Sequence, residues 1–144
     1  MHTPSAGINV WDTATWKLLS TLAPTLDRCI RSLSLSPDGK WLVSAGEDGQ
    51  ILFWESDSGK LGARLLIGKE GKDWRVVAAN GLFDGTEEGI RTLAAWRTQN
   101  GLVSFVSLPA EFRVNGLLQK ILSGHAPASQ VNLGPISSEA VSVL

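Results

Sequence analysis

An all-β chain assembled from repeated multi-stranded units is the fold class this sequence predicts, and three observations carry the prediction. First, residues 30–59 alternate short apolar runs with turn signals at Pro37-Asp38-Gly39, Glu47-Asp48-Gly49 and Asp57-Ser58-Gly59. Proline presets φ, glycine accepts φ > 0, and Asp-Gly between apolar runs is a strong hairpin signal. Second, Ile8-Asn9-Val10-Trp11-Asp12 returns as Ile51-Leu52-Phe53-Trp54-Glu55, an offset of 43 residues. Third, the chain holds six Trp and no Tyr, and large indoles at intervals point to a repeated packing position.

Taken in order, residues 1–7 have neither pattern nor bulk and are expected to be disordered. Residues 8–24 read as half a unit: a strand to Asp12, a polar turn at Thr13-Ala14-Thr15, and a second strand through Leu18 and Leu19 to Leu22. Residues 28–67 read as the well-formed unit. Its strands are Ile30 to Leu35, Trp41 to Ala45, Ile51 to Glu55, and a fourth within 60–67. Sliding forward by 42 residues brings Gly39 onto Gly81, Trp41 onto Phe83, Trp54 onto Trp96 and Gly59 onto Gly101. A degenerate third copy over 72–108 follows, with strands expected at 74–79, 82–84, 90–97 and 102–108.

Several short strands per unit at this period are the signature of propeller blades, because one four-stranded blade has two apolar faces and needs a neighbour on each. The expectation is therefore a partial β-propeller of two to three blades. A small sandwich whose Trp residues merely fill the core is the alternative. The joint register of turn glycines and Trp favours the repeat. After Leu108 the period changes: Pro109 can open a helix, and Phe112, Leu117, Leu118, Ile121 and Leu122 recur at helical spacing before Gly124. A short carboxy-terminal helix is expected within 109–124, with Asn115-Gly116 placed to split it, and a flexible tail over 125–144.

Composition narrows the function. A chain of 144 residues can bury a sizeable core, and its 13 basic and 14 acidic side chains give a net charge of -1. That balance offers no broad positive field for nucleic acid or anionic membrane. One Cys and no amino-terminal apolar run of signal type make the cytoplasm the default setting.

Residues 33–40 (Leu-Ser-Leu-Ser-Pro-Asp-Gly-Lys), 43–49 (Val-Ser-Ala-Gly-Glu-Asp-Gly) and 51–55 (Ile-Leu-Phe-Trp-Glu) together resemble one WD repeat. The resemblance implies WD-like blades in a β-propeller that serves as a scaffold for protein contacts, without catalysis of its own. It also implies a structural hydrogen-bond set, with Ser44, Asp48 and Trp54 at three positions and a His from the preceding loop at the fourth. Residues 24–27 carry no His, so Asp48 needs backbone or water partners instead. Further on, residues 73–77, 80–85, 93–96 and 112–122 resemble the stretch that follows the last WD repeats in bacterial multidomain proteins, some of which carry a caspase-like peptidase domain. The peptidase itself has no match here.

Chemistry finds few candidates. Cys29 lies at the start of a strand, and the two His residues, His2 and His125, lie in the expected loose ends, so no Cys-His pair assembles and Cys29 reads as a small buried side chain. Asp84, Glu87 and Glu88 cluster near Gly85 and Gly89 but lack the alternating oxygens of a calcium loop, so a solvated turn is favoured over a metal site. The glycines at 81, 85 and 89 form no phosphate loop. No cofactor is expected. Phe112 and its apolar companions read as a helix face docked on the last blade.

The sequence thus points to a non-catalytic interaction scaffold, a terminal portion or fragment of a larger WD-repeat protein. Partner contacts are expected in the loops at Asp27, Arg28, Glu47, Lys72 and Asp73, with self-association through uncovered blade faces as a second route. The alternatives are a regulatory segment of a caspase-like peptidase polypeptide, or a truncated product without independent function.

Overall fold

A computed structural model describes residues 7–22, 30–98, 101–104, 110–128 and 141–143. The chain divides into two compact units, Met1–Gly62 and Ala63–Leu144. Both are built chiefly of antiparallel strands, and among the described residues short helices occur only in the second.

In the first unit, β1 (Ile8–Trp11) and β2 (Leu18–Leu22) form a two-stranded sheet. β3 (Ile30–Leu35), β4 (Trp41–Gly46) and β5 (Gln50–Glu55) follow as a meander. Its turns work as their residues dictate. Gly39 and Gly49 take φ of 72° and 73°, and Ser36 Oγ donates to Asp38 Oδ1 at 2.6 Å while accepting from the Trp41 N–H at 2.9 Å. The registers place Leu33, Leu35, Leu42, Ser44, Leu52 and Trp54 on one face. On that face the core forms: Ile8, Leu22 and Trp54 are buried together, with Val10, Ile30, Leu42, Leu52 and Leu61 packed around them. The β1–β2 hairpin therefore covers the Trp54 side of the meander, as one blade covers the next.

The repeat reaches into the turns. In β1–β2 the Asp12 N–H donates to Lys17 O at 2.9 Å and the Trp16 N–H to Asp12 O at 2.8 Å; 43 residues on, Glu55 N–H donates to Lys60 O at 2.9 Å and Gly59 N–H to Glu55 O at 2.8 Å. Gly59 sits at φ 67°, and Trp16, its counterpart, is the one positive-φ non-glycine residue among those described, at φ 55°. The left-handed region costs an L-residue roughly 1–2 kcal/mol. Trp16 is also 76 % exposed, so Trp16→Gly is expected to stabilise the first unit by about 1 kcal/mol, read as a raised urea midpoint at unchanged slope.

Acid should loosen these turns. The Thr15 and Ala14 N–H groups hold Asp12 below the usual carboxylate range, and the Ser36 hydroxyl followed by the Lys40 N–H does so for Asp38. A lowered folded pKa adds stability above the ordinary value of 3.8 that is lost as pH falls through the folded value. Faster amide exchange at Ala14, Thr15 and Lys40 below pH 3.8, after correction for intrinsic rates, is the expected result.

In the second unit, β6 (Leu61–Ile67, entering from the first), β7 (Trp74–Ala78) and β8 (Phe83–Gly85) continue as antiparallel neighbours. The charged stretch 69–73 is the β6–β7 hairpin loop, closed by Gly68 N–H to Asp73 O at 2.8 Å. Helix α1 (Glu87–Thr92) comes next, capped by Thr86. β9 (Ala94–Thr98) then pairs with β10 (Gly101–Ser104) and with β11 (Val141–Val143). A 3-10 turn at Ala110–Phe112 precedes helix α2 (Leu117–Leu122).

Three expectations change here. The strands assigned to a third copy over 72–108 are divided between two sheets: β7 and β8 extend from β6, because the short 68–73 loop returns the chain at once, while β9 and β10 lie in another sheet. The strand expected over 90–97 begins only at Ala94, because Thr86 Oγ1 accepts the Gly89 N–H at 3.1 Å and starts a helix there. Within the expected tail of 125–144, Val141–Val143 pairs with β9. The helical segment does break at Asn115-Gly116, with Gly116 at φ 70°.

Candidate functional site

The described part of the hydrogen-bond set lies in the β4–β5 hairpin. Trp54 is 5 % exposed, and its indole N–H donates to Ser44 Oγ at 2.9 Å across the diagonal of two neighbouring strands. Asp48, in the turn, does not join them. Its Oδ1 accepts the Gln50 backbone N–H at 3.1 Å and its Oδ2 the Gln50 side-chain amide at 3.0 Å. Gln50 is itself buried, so an amide from the same hairpin serves Asp48 where the sequence pattern would supply an imidazole from the preceding loop. Sequence reasoning missed Gln50, although a residue two beyond a turn Asp is its natural partner.

The loop residues scatter. Asp27, Arg28 and Cys29 lie outside the described residues. Glu47 pairs with Arg31 at the exposed β3–β4 end, and Lys72 meets Glu70 at 3.5 Å, both side chains well exposed. Exposed pairs of this kind contribute about 0–1 kcal/mol and are readily exchanged for a partner's charges. Asp73 is already engaged: its Oδ1 accepts from Thr86 Oγ1 at 3.0 Å, fixing the start of α1.

The acidic cluster resolves into three structural roles. Asp84 is buried, and its Oδ2 accepts the Gly116 N–H at 2.7 Å and the Leu117 N–H at 3.4 Å, while its Oδ1 accepts the Gly85 N–H at 2.8 Å. It caps α2 from a distance, where Gly116 has no side chain to do so. Glu87 pairs with Arg113 at 2.6 Å, and Glu88 with Arg91 at 2.6 Å. Val114 N–H to Phe83 O, at 2.9 Å, completes the clasp that seats Phe112, Leu117 and Ile121 in the second unit's core. Arg75, fully buried on β7, has its guanidinium pulled down to about 10 by burial and stays protonated at neutral pH. No group of three or more potential metal ligands assembles among the described residues. No helix there is long and apolar enough to cross a membrane.

Among the described residues, the most exposed apolar side chains lie elsewhere, in the first unit. Trp11, Trp16, Leu18 and Leu19 project from the β1–β2 hairpin, and Leu33 and Leu35 from β3.

Comparison with known proteins fits this geometry. The family described as "WD domain, G-beta repeat" matches residues 16–55, which run from the β1–β2 turn to the end of β5. The nuclear distribution protein nudF of Emericella nidulans is 39 % identical over 59 residues, covering 41 % of this chain and 13 % of that protein. The WD repeat-containing protein VIP3 of Arabidopsis thaliana is 36 % identical over 69 residues, covering 40 % of this chain and 22 % of that protein. The chain thus spans less than a quarter of the length of either relative. No solved structure gives a significant match. Residues 16–55 thus match a WD repeat of the G-beta type, and the mostly β fold around them is consistent with part of a WD-repeat propeller.

Proposed function

We propose that the chain is a non-catalytic platform for protein contact, working in the cytoplasm as part of a larger WD-repeat assembly. One observation carries the reading: in the first unit the polar side chains of the β4–β5 hairpin are taken up by one another, while several large apolar side chains stand exposed. Ser44 serves Trp54 and Gln50 serves Asp48, whereas Trp11, Trp16 and Leu19 stand in solvent. An enzyme site inverts this, converging reactive groups on a pocket. Of the described loop positions, Glu47 and Lys72 hold exposed ion pairs that can be exchanged for a partner's charges. Asp73 stays with Thr86.

The test is affinity capture with Glu47→Lys and Lys72→Glu together, the fold being followed by circular dichroism. A partner lost from the folded variant supports the loop assignment; identical recovery removes these loops from the site. A second reading, a regulatory segment of a caspase-like peptidase polypeptide, rests on the resemblance of residues 73–77, 80–85, 93–96 and 112–122 to the stretch that follows the last WD repeats in such polypeptides. An in-frame upstream domain carrying His and Cys would favour it, and a stop codon there would remove it.

A further inference from the structure

On one face of the second unit the strand registers gather an apolar trough. Leu65 faces Val76 and Ile67 faces Trp74 across β6 and β7, and Asp84 of β8 stands next to Val76 in the same row. Leu118 of α2 lines it as well, and the space enclosed is about 350 Å3. That volume falls within the range of ligand sites, whose usual form is apolar walls with a few placed polar groups. The glycines on its border leave it open. Gly71 in the β6–β7 loop and Gly116 before α2 both line the trough, and a Cβ on either would meet nothing within 4 Å.

The charged group in the trough is a carboxylate with capacity left. Asp84 Oδ2 accepts two backbone N–H groups, but Oδ1 accepts only that of Gly85, and a carboxylate oxygen has two lone pairs. No cationic side chain among the described residues reaches it. Their ion pairs join Arg31 to Glu47, Lys40 to Asp38, Lys72 to Glu70, Arg91 to Glu88 and Arg113 to Glu87. A buried negative charge is thus balanced there by backbone dipoles, and a cation entering between apolar walls meets an attraction that water screens little. Trp74, diagonal to Asp84 on the same face, is 37 % exposed. Its indole offers the same cation a π face.

We propose that this trough receives an arginine side chain from an extended segment of a partner protein. One guanidinium N–H donates to Asp84 Oδ1, the planar head lies against the Trp74 indole, and the stem crosses Val76. In an extended chain the residue two positions on points the same way. An apolar side chain there covers Leu65 and Ile67, the latter 43 % exposed. Arginine suits the seat better than lysine, because its planar head stacks on an aromatic face and is more weakly hydrated. The two glycines leave room for the partner's backbone to enter and leave. The proposal rests on the platform reading and names the chemistry of a contact away from Glu47.

The test uses the full chain and an acetylated, amidated peptide Ser-Arg-Ser-Leu-Ser, which has no indole of its own. Peptide is expected to shift the Trp74 indole N–H resonance, and added salt to weaken the binding. Citrulline, the uncharged analogue, in place of arginine should bind about tenfold or more weakly, the loss of one partner of a desolvated charge pair. Lysine should lie between. Asp84→Asn should erase the preference for arginine over citrulline, with protease resistance of 110–122 reporting whether the clasp holds. Ile67→Lys, at a half-exposed position on β6 away from that clasp, should abolish binding by like charge and keep its circular dichroism. An unmoved Trp74 signal at millimolar peptide, or equal affinity for arginine and citrulline, overturns the proposal. A Trp74 signal that moves with concentration of the chain alone gives the trough to a second copy, and overturns it too. Capture of a whole partner through Glu47 and Lys72 is a separate readout and survives either failure.

Discussion

Trp54→Ala is expected to lower the stability of the first unit by about 3–5 kcal/mol, the range for deleting a buried large aromatic. The indole is the piece that Ile8 and Leu22 close over, and its N–H satisfies Ser44, so truncation opens a cavity and strands a buried hydroxyl at once. A whole domain is stable by only about 5–15 kcal/mol, so the variant should show the first unit melting separately at low urea. Trp54→Phe separates the two causes. It keeps most of the area and removes the donor, and in a double-mutant cycle with Ser44→Ala the coupling should be about 1 kcal/mol. A Trp54→Ala chain within 1 kcal/mol of the parent, on the scale of surface substitutions, would refute the packing role.

Asp84→Ala should cost the second unit about 3 kcal/mol, since three backbone N–H groups lose a charged acceptor in a buried setting. The damage should be local. α2 has no cap of its own, so the segment 110–122 is expected to detach and become the first site of proteolysis, with Gly116 and Leu117 amides exchanging freely. Asp84→Asn, which keeps one acceptor oxygen, should lie between the two. Equal protease resistance in all three proteins would show that Phe112, Leu117 and Ile121 hold the segment by burial alone.

Local chemistry explains which features were legible in the sequence. Residues 30–59 were readable because turn residues, alternation and Trp placement all act within a few positions of one another, and the observed strands fall where those signals put them. The 43-residue echo of Trp11 in Trp54 exposed the repeat. The same echo sets Trp16 on Gly59, which was the available sign that a tryptophan occupies a left-handed position. Two outcomes depended on longer reach. Asp84 caps a helix 32 residues away, a pairing that no local pattern encodes. β7 could have opened a new blade or returned on β6, and its apolar run is the same in either sheet; the length of the 68–73 loop decided it. The partner of Asp48 was hidden differently: attention to a missing His passed over Gln50 two residues on.

The return of β7 onto β6 has a consequence for stoichiometry. By the repeat, β6 is the counterpart of β2, yet β6 carries a further strand while β2 among the described residues pairs only with β1. Where two equivalent positions are both open, units can add to one another without limit and chains grow into fibres. Here the position at β6 is filled by the chain itself, so growth past it is terminated. Pairing of further chains through β6 is therefore closed, whatever becomes of the other sheet edges.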